Sequence, residues 1–113
     1  DYSWVKIDGD LATLGVNRQS AEKVKEFVFI DLPQVGQNIK KGEKYVSLEA
    51  VKWSGHLSAP LSGEVVEVNE ELFDEPNIIN SDPYNKGWIC RLKISNEKEI
   101  KELLKAQEMK NDG

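Results

Sequence analysis

Among the side chains that could do chemistry, Lys52 has the most unusual setting. Twelve of the thirteen lysines read as solvated surface charge. Lys52 instead stands in Leu48-Glu49-Ala50-Val51-Lys52-Trp53-Ser54-Gly55, where it interrupts two extended arms within a few residues. A lysine so placed projects from a tight turn. The chemistry open to it is that of an exposed, rigidly presented amine: acylation by a modifying enzyme, then delivery of the attached group to several sites in turn. Loops on a rigid scaffold are where function concentrates. On chemistry alone, however, an ordinary turn lysine is the default, and the surrounding pattern must argue otherwise.

Support for other chemistries is thin. His56 is the only histidine and Cys90 the only cysteine, whereas a zinc site takes three or four such ligands. No G-x-x-x-x-G-K-[ST] loop occurs to cradle phosphates. His56 has no nucleophile motif near it. The carboxylates fall on turns and helix surfaces, so an enzyme with its own active site is not expected. Cys90 alternates with Leu92 and Ile94 against Arg91 and Lys93, which turns the thiol toward a core. A lone cysteine forms no intrachain disulfide and suits a reducing compartment; the expectation is cytoplasmic, or the mitochondrial matrix in a eukaryote.

The net charge of −5 and the scattered basic residues argue against nucleic acid, which needs a concentrated basic face. Such acidity serves solubility, or docking onto basic faces of partners. No apolar run is long enough for a membrane span, and Asp1-Tyr2-Ser3-Trp4 offers neither a basic nor an apolar leader region. A monomer of one domain over residues 1–113 is expected.

The elements that must position Lys52 follow from local signals. Trp4 to Ile7 and Leu11 to Leu14 read as strands joined at Asp8-Gly9-Asp10, a hairpin signal. Asn17 is placed to cap a helix over Arg18 to Val24. Phe27 to Ile30 reads as a strand ending before Pro33, which lacks a ladder N–H. Glycine turns flank Ile39 at Gly36 and Gly42. A strand from Tyr45 to Val51 puts Val46, Leu48 and Ala50 on one face and Glu49 on the other. After an interruption at Lys52 to Gly55, His56 to Ala59 is again extended, and Glu64 to Val68 follows the Ser62-Gly63 turn. Asn69 is placed to cap a short helix through Phe73. Trp88 to Ile94 is the last strand. Ser95 is placed to cap a C-terminal helix whose Ile100, Leu103 and Leu104 form an apolar stripe, with Glu97 and Lys101 as an i, i+4 pair. Short strands with glycine turns predict a mainly β sandwich or small barrel.

Around Lys52 runs an approximate two-fold echo: Gly42-Glu43 before it and Gly63-Glu64 after it. The pattern resembles the biotinyl/lipoyl carrier fold, a flattened barrel-sandwich of two antiparallel four-stranded sheets. Val51 and Trp53 beside the lysine favour lipoate over biotin, whose carriers usually place methionine on both sides. Over nearly the whole chain the sequence is similar to one family, the H protein of the glycine cleavage system. The resemblance is carried by Trp4-Val5-Lys6, Ala12-Thr13-Leu14-Gly15-Val16, Phe27-Val28-Phe29-Ile30-Asp31-Leu32-Pro33, Glu49-Ala50-Val51-Lys52 and Ala59-Pro60-Leu61-Ser62-Gly63-Glu64-Val65. Its most family-specific piece is Asn80, Asp82-Pro83-Tyr84 and Gly87-Trp88, which simple lipoyl domains lack. The chain departs from the family at Tyr2 and Ser3, where a histidine and an acidic residue are usual. It departs again at Trp53 and His56, in place of a small and an acidic residue, and near Lys25, where a glycine commonly follows the first helix.

The resemblance implies a non-enzymatic lipoate carrier. Lipoate would be joined to Lys52 through an amide by a lipoate ligase or lipoyl transferase, with Glu49 helping the ligase choose this lysine. The arm would take an aminomethyl group from glycine decarboxylase to an aminomethyltransferase and be reoxidised by dihydrolipoyl dehydrogenase, the protein contributing presentation and the cofactor the chemistry. Trp53 and His56 would tune partner choice. The alternative is an H-like carrier of sulfur intermediates for a heterodisulfide-reductase-like sulfur-oxidising complex, since a fold alone does not select a chemistry.

Overall fold

The computed structural model describes residues 3–102. Its first hairpin joins β1 (Ser3–Asp8) to β2 (Leu11–Val16). Gly9 takes φ +65 there, the sign that primed hairpin turns require and that glycine adopts without steric cost. α1 (Arg18–Val24) starts as expected: Asn17 Oδ1 accepts the N–H of Ser20 at 2.8 Å, satisfying a donor the helix itself cannot pair. Then come β3 (Phe27–Asp31), β4 (Asn38–Ile39), β5 (Lys44–Ala50), β6 (Trp53–Ser58) and β7 (Gly63–Val68). Two single-turn helices follow, α2 (Glu71–Asp74) and α3 (Ile78–Ser81), before β8 (Cys90–Ile94).

The strands form two antiparallel sheets, ordered β1-β2-β8-β7-β4 and β3-β5-β6. The mainly β, two-sheet expectation holds, with one correction: the split is five and three strands rather than four and four, and neither sheet closes into a barrel. The body is flattened, 37 × 36 × 22 Å. Val46, Leu48, Leu57, Val65 and Leu92 from the strands meet Leu72 and Ile79 from α2 and α3, all nearly or fully buried. Alternation explains the inward set: Cys90 and Leu92 are buried while Lys93 is exposed.

Asn69 does not cap α2. Its side chain is buried, and Nδ2 donates to the carbonyls of Lys86 and Trp88 at 2.8 and 2.9 Å. Two long-range acceptors hold the amide better than a one-turn helix could, and α2 begins with no side-chain cap. The C-terminal helix, seen over residues 97–102, is capped by Asn96 rather than Ser95: Asn96 Oδ1 accepts the Lys98 N–H at 3.1 Å. Glu99 fastens it to the turn before β7 through the N–H and hydroxyl of Ser62, and Lys41 pairs with Glu102 at 3.2 Å. Ile100 is half-buried; Leu103 and Leu104 lie outside the described residues. None of the described helices is long and apolar enough to cross a membrane.

Burial pushes the Cys90 thiol up to about 12 from its usual 9.0, and it raises the Tyr45 phenol as well. Between pH 9 and 12 the unfolded chain has lost the thiol proton while the folded chain keeps it. This contribution is therefore fully present below pH 9 and is lost as pH rises through that window, with a limiting slope of about 1.4 kcal/mol per pH unit. Urea unfolding at pH 8 and pH 10.5 should show the decline, and Cys90→Ala should reduce it, leaving the share of Tyr45.

Candidate functional site

The hairpin that carries Lys52 is tighter than the sequence implies. β5 and β6 pair from Lys44↔Ser58 to Ala50↔Trp53, so Val51 and Lys52 alone form the turn. β6 resumes at Trp53, not at His56, because Trp53 is not a loop residue. It is half-buried, packs against the core and lies along its own strand: a Cβ added to Gly55 would sit 2.7 Å from its ring. A glycine two residues on leaves the indole room to lie flat. Trp4 uses the same device across strands, over Gly15, with its Nε1 donating to the Pro83 carbonyl at 2.9 Å.

Lys52 is exposed, as is Val51. The backbone under them is held from outside the hairpin. Val51 N–H donates to the Glu26 carbonyl and Lys52 N–H to the Val24 carbonyl, each at 3.0 Å. The first bond extends the β3–β5 ladder, whose nearest pair is Phe27↔Ala50; the second reaches the end of α1. Between these two acceptors, Lys25 has φ +69 and ψ −155, the one non-glycine positive φ among the described residues. That region is strained for any side chain, by roughly 1–3 kcal/mol. Lys25→Gly is expected to raise stability by about 1 kcal/mol, read as a higher urea midpoint at unchanged m-value. The glycine missing near Lys25 was the sequence signal for this linker.

Of the four site residues singled out from the sequence, Lys52 stands at the tip and the other three divide between two faces. Glu49 is exposed on the outer face of the three-stranded sheet, between Phe29 on β3 and Ser54 on β6. His56, opposite Ser47, is exposed on that face one row farther from the tip. Trp53 lies on the inner face with Leu57. Glu49 and His56 therefore share a surface with the exposed Phe29, and Trp53 does not join them. The residues that sequence reasoning gave no role are those supporting the tip: Val24, Lys25 and Glu26, and behind them Asn80.

Among the described residues no group of three or more histidine, cysteine or acidic side chains is placed to hold a metal. A shallow groove of about 380 Å³ on the other sheet is lined by Trp4, Tyr84, Trp88 and Arg91 among others. Arg91 is already engaged there, stacked 4.3 Å from the Trp88 ring and paired with Glu67.

Comparison with known proteins agrees with this geometry. Residues 1–112 match the glycine cleavage H-protein family. A glycine cleavage system H protein of Thermotoga maritima is 44% identical over 106 residues, covering 94% of this chain and 86% of that one. A probable glycine cleavage system H protein of Sulfolobus acidocaldarius is 46% identical over 101 residues, covering 89% and 73%. The crystal structure of a glycine cleavage system H protein from Mycobacterium marinum superposes with a TM-score of 0.78 at 33% identity, over 83% of this chain and 79% of that one. These matches lend nothing to the sulfur-oxidation alternative. The chain belongs to the glycine cleavage H-protein family.

Proposed function

We propose that this protein is a lipoate carrier of the glycine cleavage system, with Lys52 Nζ as the single point of attachment. The observation that carries the reading is an exposed lysine at a two-residue tip whose own backbone N–H groups are fastened to a neighbouring linker, in a chain of this family. The site fits the group: an amide to lipoate needs an amine a ligase can reach on a base that does not yield, and both are present. When bound, lipoate would supply a dithiol–disulfide couple able to take up and release an aminomethyl group.

The chain's own contribution is presentation. The hairpin holds the amine clear of the sheet, and tethering raises the local concentration of cargo at each enzyme that docks. The partners are a lipoate ligase or lipoyl transferase for loading. In the cycle they are glycine decarboxylase, an aminomethyltransferase and dihydrolipoyl dehydrogenase, met by a cytoplasmic monomer that performs no catalysis itself. The test is reconstitution: the chain is loaded by a lipoate ligase and mixed with those three enzymes, and glycine-dependent turnover is measured. A fully lipoylated chain that supports no turnover would refute the reading.

Glu49 serves ligase recognition, supported by its exposure one strand row from the tip. Glu49→Gln should slow lipoylation several-fold while stability moves by no more than about 0.5 kcal/mol; an unchanged rate would remove it from that role. His56 tunes partner choice from the same face, and Trp53 does so indirectly, by fixing the hairpin's shape from beneath. His56→Asp should alter KM for an enzyme of the cycle with the fold intact.

A further inference from the structure

The most family-specific stretch of the sequence lies against α1, and it grips that helix at both ends. Tyr84 Oη accepts the N–H of Arg18, in the first turn, at 2.9 Å. At the other end Asn80, on α3, accepts the Phe27 N–H through Oδ1 at 2.9 Å. Its Nδ2 donates to the carbonyls of Lys25 at 2.8 Å and Ala21 at 3.4 Å. The linker between α1 and β3 is thus a strip with two occupied edges. The carbonyls of Val24 and Glu26 accept from the hairpin tip, while the carbonyl of Lys25 between them accepts from Asn80. Three successive carbonyls thus serve two partners, so one strip joins the tip to Asn80.

We propose that Asn80 is the positioning residue for Lys52. By fixing the 24–26 linker along its far edge, it keeps the two acceptors under the tip in place and sets how much of the time the Lys52 amine is presented to the loading enzyme. The linker needs such a hold because Lys25 occupies a backbone region that side chains disfavour; with the Asn80 bonds gone, that strain is free to relax and carry both acceptors away. The structural half of the proposal stands on the hydrogen bonds alone, and its enzymatic half rests on the lipoyl-lysine reading above.

Amide hydrogen exchange on the full chain reads the first half. In Asn80→Ala the Val51 and Lys52 amides should exchange at least about tenfold faster. The Ile89 amide, which donates to the Leu14 carbonyl at the end of the β2–β8 ladder in the five-stranded sheet, should stay within about twofold. Asn80→Asp is the companion variant and serves where Asn80→Ala does not fold. It keeps the acceptor for Phe27 and loses the donor to Lys25, and should accelerate the same two amides less. Ligase kinetics read the second half. If only the presented fraction binds productively, KM for the apo protein rises about tenfold in Asn80→Ala while kcat stays within about twofold.

Tip amides unchanged in both variants, or accelerated no more than Ile89, would overturn the proposal. So would a fall in kcat at constant KM. A native chain that takes up no lipoyl group at Lys52 would instead defeat the carrier reading, and the exchange experiment would still decide the role of Asn80.

Discussion

Lys52→Arg should take up no lipoyl group at all. Arginine keeps the positive charge and the length of the side chain, but its guanidinium does not serve as an acceptor amine. The residue is exposed and its structural bonds are made by its backbone, so folding should change by no more than about 0.5 kcal/mol. After incubation with a lipoate ligase, the native chain should gain one lipoyl increment in intact mass, mapped to the Lys52 peptide. The variant should gain none and should give no glycine-dependent turnover, with a matching melting curve. An increment that persists in Lys52→Arg would place the modification on one of the other lysines, all of which lack the tip.

Gly63→Ala is expected to be the most damaging of the conservative changes to the fold. Gly63 opens β7 and pairs with Ile94 on β8. A Cβ there would lie 2.5 Å from the carbonyl oxygen of Lys93 and 3.0 Å from the Leu92 Cβ. The obstruction is backbone in the middle of the five-stranded sheet, not the movable end of a side chain, so the ladder itself must shift. Overpacking of this kind costs about 1–3 kcal/mol, and the upper end applies because a sheet hydrogen bond is disturbed as well. Urea unfolding should show a midpoint reduced accordingly. A loss under about 0.5 kcal/mol would mean that β7 and β8 can separate at this point without cost.

Most of the support for Lys52 was legible where the signal is local. Asn17 before α1, the glycine turn between β1 and β2, and the alternation in β5 and β8 depend on residues within a few positions of one another. The structure places them as read. The failures involve distant partners. Asn69 has the composition of a helix cap, yet its amide is drawn to carbonyls 17 and 19 residues away. Asn80 acts across 53 to 59 residues, and no short pattern announces that. The two-residue β4 carries too few side chains for any periodicity, and its pairing with β7 is what makes the larger sheet five strands wide. The turn at Lys52 was read too long because Trp53 and Gly55 look like loop residues singly; together they make a flat packing surface. As for the candidate site, the exposed position of Lys52 at a hairpin tip was read from the sequence, while the linker showed only as a departure near Lys25 and Asn80 only as part of a family-specific segment with no assigned task.

On the lipoate-carrier reading, Cys90 has a bearing on the cargo that its place in the core does not suggest by itself. Thiol–disulfide exchange proceeds through the thiolate, and a carrier that presents a cyclic disulfide on a long arm is exposed to attack by any thiolate of its own. With the thiol pushed up to about 12, only about one Cys90 in a hundred thousand would be ionised at pH 7. Its sulfur is also sealed between the sheets. The same burial that makes the residue a packing element would therefore keep it out of reach of a lipoyl arm on Lys52, so such an arm would exchange electrons with its partner enzymes and not with the protein that holds it.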